Sequence, residues 1–228
     1  MERIKTHVEN FDKIMNGGIP AGSVVLVSGA TGTLKSSFAY YVLYSNANEK
    51  KPLYISLEQS RESLESQMSG LGMEKGRVKI IERKDVGRGL GDIKEVSFME
   101  MLSGYLKKLK KEADYELLVL DSLPVLEVIA EMKKPRSELF KFLDDLRELN
   151  VTSFLITEMP HGSNTYGRYD EDFLSDGIIH LKMEQIGDVK TQRRIRCVKM
   201  RSTKHSSDWY TLLFGDGKFQ VAQVISEA

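Results

Sequence analysis

The stretch Val24-Val25-Leu26-Val27-Ser28-Gly29-Ala30-Thr31-Gly32-Thr33-Leu34-Lys35-Ser36-Ser37 decides the fold. Four apolar residues read as a strand, two glycines open a loop, and a Lys-Ser pair heads a helical pattern that runs to about Asn46. A strand that turns through such a loop into a helix is the context in which backbone N–H groups converge on phosphate oxygens. The phosphate-binding residues are then Gly29, Thr31, Gly32, Thr33, Leu34, Lys35, Ser36 and Ser37. Gly29 and Gly32 let the main chain curl, Lys35 reaches the outer phosphates, and the Ser36 hydroxyl binds Mg²⁺. The pattern GxxxxGK[ST] asks for glycine where this chain has Leu34, a position at which a side chain crowds the loop or strains its backbone. The bland alternative is a relic loop that holds phosphate poorly.

Outward from this stretch, short apolar runs alternate with helical patterns. Strands are expected at Pro52–Leu57, Val78–Ile81, Leu117–Leu120 and Val151–Thr157, with helices near Arg61–Leu71, Phe98–Lys111 and Ser137–Leu149. Leu139, Phe142, Leu143, Leu146 and Leu149 fall on one helical face. The strand runs are apolar throughout, as in a parallel sheet covered on both faces. The alternation predicts an α/β fold with a mostly parallel central sheet and helices on both sides. After Asp176 the pattern changes to strands joined by turns at Gly187-Asp188 and Gly215-Asp216-Gly217, so antiparallel strands close the sequence. No linker divides the chain, and residues 1–228 read as one domain. The glycine-bearing segment Lys84–Glu95 reads as an exposed mobile loop.

Two carboxylates fall at strand ends, on the rim where such sheets bind ligands. Asp121 follows Leu117–Leu120 and would hold Mg²⁺ through water; the bland reading is a cap for the next segment. Glu58 follows Pro52–Leu57 and could activate the water that attacks a terminal phosphate, or equally cap the helix beginning near Ser60. Further on, if Arg193–Arg201 is a strand, Ile195, Cys197, Lys199 and Arg201 share a face, with Arg194 and Arg196 opposite. Two cations then point one way, or the run is simply a solvated basic edge. Cys197, among apolar neighbours, reads as core. The segment Met159–Asp172, with Tyr166, Arg168 and Tyr169, suits single-stranded nucleic acid by stacking, a protein partner, or neither. His161 within it has no visible ligand partner.

Lys plus Arg and Asp plus Glu each number 33, and this zero balance speaks against a strong non-specific grip on nucleic acid. A single cysteine excludes an intrachain disulfide and favours a reducing, cytoplasmic setting. The apolar stretch Leu117–Ala130 is interrupted by Asp121, Ser122, Pro124 and Glu127, so no membrane span is expected.

In order along the chain, the lead-in Phe11–Ser23, the loop, Tyr54-Ile55-Ser56-Leu57-Glu58-Gln59, Thr157-Glu158, Arg168–Leu181 and Lys199-Met200-Arg201-Ser202-Thr203-Lys204-His205 resemble the RecA/KaiC-like P-loop ATPases, most of all a KaiC-type domain. The resemblance covers about Thr6 to Val221. It implies a RecA-like fold, ATP and Mg²⁺ as ligands, and a ring (a hexamer) or filament of identical subunits. It implies that Glu58 is the catalytic base, although Gln59 stands where the family has a second glutamate. It also implies that Lys199 and Arg201 reach the γ-phosphate held by the neighbouring subunit. The expected function is a Mg-dependent ATPase acting at subunit interfaces. The alternatives are a nucleotide-sensing interaction module with little hydrolysis, or a recombinase-like partner of single-stranded DNA.

Overall fold

The computed structural model describes residues 1–90, 97–159, 163 and 165–224. In chain order the elements are β1 (Arg3–Ile4), α1 (Phe11–Ile14), β2 (Ile19–Pro20), β3 (Val24–Gly29), α2 (Lys35–Asn46), β4 (Pro52–Ser56), α3 (Arg61–Gly70), β5 (Lys79–Glu82), α4 (Arg83–Leu90), α5 (Phe98–Ala113) and β6 (Leu117–Asp121). They continue with α6 (Leu123–Ile129), α7 (Pro135–Glu148), β7 (Thr152–Glu158), α8 (Glu171–Leu174), β8 (Gly177–Ile186), β9 (Lys190–Met200), β10 (Tyr210–Gly215) and β11 (Lys218–Gln223). Nine strands form one sheet in the order β11-β10-β9-β8-β3-β7-β6-β4-β5. From β8 to β5 neighbours run parallel, and β8 to β11 pair antiparallel.

The strand alternation builds two cores. Val25 and Val27 of β3, with Leu117 and Val119 of β6, face one layer that holds Phe11, Phe38, Tyr40 and Leu64. Val24 and Leu26, with Leu118 and Leu120, face a second layer that holds Leu102, Leu106, Phe142 and Leu146. Residues apolar at every position therefore serve both faces, which is why these runs do not alternate in sequence.

Two sequence expectations are corrected. Arg83–Leu90 is helical, so the expected mobile loop Lys84–Glu95 is a helix over its first part, while 91–96 lie outside the described residues. Val86 is fully buried in the second core, and Asp85 accepts from the Glu82 amide at 3.0 Å, so packing and a local turn outweigh the glycine at 87. Within β9, Cys197 pairs with Ile179 and Lys199 with Ile178, leaving Val198 as an extra residue. This bulge resets the alternation. Ile195, Cys197 and Met200 lie in the first core, so Lys199 turns to the opposite face, and Arg201 falls beyond the strand. Cys197 is buried, and burial pushes its thiol up to about 12.

Candidate nucleotide site

Parallel register brings the strand ends to one rim: Gly29 lies opposite Glu158, and Ser56 opposite Asp121. Beneath this rim the loop from Thr31 to Ser37 lines a cleft of about 280 Å³ with Glu58, Gln59, Gln67, Asp121, Ser122 and Glu158. The loop is wound as the sequence requires. A side chain at Gly29 would meet the Leu181 carbonyl at 2.1 Å, and Gly32 has φ +75°. Leu34 is left-handed as well, at φ 72° and ψ 28°, immediately before helix α2. A leucine there carries strain of roughly 1–2 kcal/mol, set against partial burial of its side chain on the first core. The loop takes the wrapped path in spite of the missing glycine.

Lys35 turns back on its own loop. Its Nζ donates to the Ala30 carbonyl at 2.9 Å, a group that also accepts from Thr33 Oγ1 at 2.8 Å. Burial lowers the Lys35 pKa, and Glu158, Asp121 and Glu58 around it oppose that shift. Glu158 is a site residue that sequence reasoning left without a role; its place at the end of the strand beside β3 was the available signal.

Asp121 is 8% exposed and accepts a hydrogen bond from the Tyr54 hydroxyl at 2.5 Å. Burial raises its pKa, against the hydrogen bonds from Tyr54 and Ser36. A cis peptide bond leads to Ser122, whose hydroxyl donates to Glu58. Glu58 does not cap α3: that role belongs to Ser60, which accepts from the Ser63 amide. The turn that presents Glu58 is tied by Ser56 Oγ, which donates to the Gln59 carbonyl at 2.7 Å. Ser36 and Asp121 supply a hydroxyl and a carboxylate, the hard oxygen donors that Mg²⁺ accepts when phosphates complete its shell. Among the described residues no cluster of three or more His, Cys, Asp or Glu forms a metal cage.

On the adjacent hairpin, Arg193 Nε donates to the Gly32 carbonyl at 3.5 Å, so an arginine absent from the sequence expectations lies against the loop. Lys199 and Arg201 are not at this rim. They sit at the far end of β8, where Gly177 pairs with Met200. Lys199 Nζ donates to the carbonyls of Asp172 at 2.8 Å and Ser175 at 2.7 Å, and Arg201 to Asp176 Oδ1 at 3.0 Å and the Phe173 carbonyl at 3.1 Å. The two cations do converge, but on the end of α8.

Tyr166 and Tyr169 pack inward. The Tyr166 hydroxyl accepts from Arg196 at 2.7 Å, its ring meets His180 edge-on, and both tyrosines rest on the second core. Below them Glu127 of α6 and Glu171 of α8 bury their carboxyls together, and burial plus the Glu171 carboxyl pushes Glu127 up to about 8. His161 lies outside the described residues. No described helix is long and apolar enough to cross a membrane.

A family model described as ATPase: KaiC matches residues 4–224. The chain belongs to the KaiC-type ATPase family. A UPF0273 protein of Thermotoga maritima is 27% identical over 225 residues, covering 90% of each chain. The circadian clock oscillator protein KaiC 1 of Synechocystis is 26% identical over 92% of this chain, which spans only 42% of that protein. Among solved structures, a KaiC-like protein from the hyperthermophilic archaeon Pyrococcus horikoshii superposes with a TM-score of 0.82 at 28% identity, covering 97% of this chain and 99% of that one. The KaiC-type domain accounts for the sheet order, the wrapped loop and the antiparallel closing strands together.

Proposed function

We propose that this protein is a Mg-dependent ATPase, built as one domain, that binds ATP between identical subunits. The observation that carries this reading is the convergence of Lys35, Ser36, Asp121 and Glu58 on one cleft at the loop. In it, Lys35 leaves the Ala30 carbonyl for the outer phosphates, and the amides at the start of α2 complete the cradle. Ser36 and Asp121 hold the cation, which supplies charge neutralisation at the phosphates. Glu58, oriented by Ser122, takes the proton of the attacking water. Lys199 and Arg201 act from the neighbouring subunit of a ring or filament, since in their own chain they lie at the other end of β8. Arginine suits the spread charge of a transferring phosphoryl group.

Purified protein is expected to release phosphate from ATP with magnesium, and Glu58→Gln to lower turnover strongly with ATP binding kept. Wild-type protein without turnover at any concentration removes the enzyme reading. The second reading, a nucleotide sensor with little hydrolysis, is favoured by Gln59 at the cleft. It predicts ATP-dependent assembly that Glu58→Gln leaves intact. The inward packing of Tyr166 and Tyr169 weighs against a stacking platform for single-stranded DNA. A gel shift at low salt decides that question.

A further inference from the structure

Asp121 is held by a residue from the next strand for which the sequence offered no role. Tyr54 of β4 is 0% exposed, its ring tilted against Tyr40 of α2 at 5.7 Å between centroids. Its hydroxyl reaches past Val119, its register partner, to Asp121 Oδ2. A phenylalanine would fill the same space without burying an oxygen, and a buried hydroxyl is tolerated only where it finds a partner. Here that partner is the carboxylate facing the phosphate loop.

Carboxylates meet the two common hard cations differently. Mg²⁺ demands near-octahedral geometry, keeps several waters and takes one carboxylate oxygen at a time, whereas Ca²⁺ readily accepts both oxygens of one carboxylate. We propose that Tyr54 is a positioning residue that sets which divalent cation the site accepts. By engaging Oδ2 it sets a two-oxygen grip on the cation in competition with its own hydrogen bond, a cost that falls on calcium and spares magnesium, which needs at most one oxygen of Asp121, directly or through water. The inference rests on the Mg-nucleotide reading above and adds the selectivity of that site. Ser36, the other oxygen donor, stands within hydrogen-bonding reach of the same pair.

The test is calorimetric binding of ATP to the full chain in Mg²⁺, in Ca²⁺ and in EDTA, for wild type, Tyr54→Phe and Tyr54→Met. Both substitutions fill the buried space without a hydroxyl, and thermal melting establishes that each variant folds. Wild type is expected to bind ATP more tightly with magnesium than with calcium. In the variants the ratio of the two affinities shrinks by about three- to tenfold, the scale of the net contribution of one ordinary hydrogen bond, chiefly because calcium binding improves. A role in packing alone lowers the melting temperature without moving that ratio. An unchanged ratio in a folded variant overturns the proposal and leaves the nucleotide reading standing. If neither cation strengthens ATP binding to wild type, the magnesium reading fails and the proposal with it.

Discussion

The parallel and antiparallel halves of the sheet treat charge in opposite ways. On the parallel rim, Lys35, Glu58, Asp121 and Glu158 surround a cleft, and their bonds are few. In the antiparallel half the named cations are already bonded within the fold. Arg194 is clasped by Glu184 and Thr211, Lys199 by carbonyls at the end of α8, and Arg201 shares Asp176 with Arg147. The first arrangement is preorganised for a ligand. The second is satisfied without one, so under the proposed reading the cations there reach a neighbour's nucleotide only by leaving bonds they already hold.

The sharpest way to break this contrast is Lys35→Ala. It should lower ATP turnover by about a hundredfold or more, read as phosphate release. Near-normal turnover would mean that the parallel rim is not the site. Next comes Arg201→Ala, expected to slow turnover about tenfold or more through lost charge stabilisation. Its fold should survive, since the half-exposed pair with Asp176 contributes only about 0.2–1 kcal/mol. Mixing Arg201→Ala chains with Lys35→Ala chains should restore part of the turnover, because one junction in the mixture then has both intact halves. No recovery from any mixture would sink action between subunits.

A third prediction sharpens the contrast at its seam, where Glu127 of the parallel half meets Glu171. Burial and the neighbouring Glu171 favour the protonated form of Glu127 and push its carboxyl up to about 8, above an ordinary carboxyl value. Between the two values the folded chain binds more protons than the unfolded one, so stability is lost as pH rises toward 8. Urea melts should show wild type losing at least about 1.4 kcal/mol, the worth of one pKa unit, relative to Glu127→Gln between pH 5 and pH 8. Parallel pH curves for the two proteins would refute it. The smallest effect is expected at Leu34→Gly. Relief of left-handed strain and loss of a partly buried leucine offset each other, leaving stability within about 1 kcal/mol by the same melts. A loss of several kcal/mol would show that the leucine is needed for packing.

The same two halves differ in how far the sequence discloses them. Parallel strands such as β3 and β6 are legible because they are apolar on both faces, and α7 because its leucines keep helical spacing. The hairpin turns at Gly187 and Gly217 are legible for their left-handed backbone, φ 60° and 71°. Helix α6 is not, since it starts at Leu123-Pro124, and proline reads as a break although it is tolerated in a first turn. The bulge at Val198 leaves no mark in the sequence, which is why alternation put Lys199 on the wrong face. At the rim, strand ends exposed Glu58 and Asp121 to reasoning, whereas the Tyr54 and Ser122 hydroxyls matter only through cross-strand neighbours that spacing along the chain does not supply.

Everything at the rim depends on the loop around Leu34 accepting a triphosphate in its strained path. Isothermal titration of wild type with ATP and magnesium, set beside Lys35→Ala, measures this directly. A saturable heat for wild type that vanishes in the variant is the predicted result. A flat titration for wild type, or equal heats for the two proteins, would contradict it.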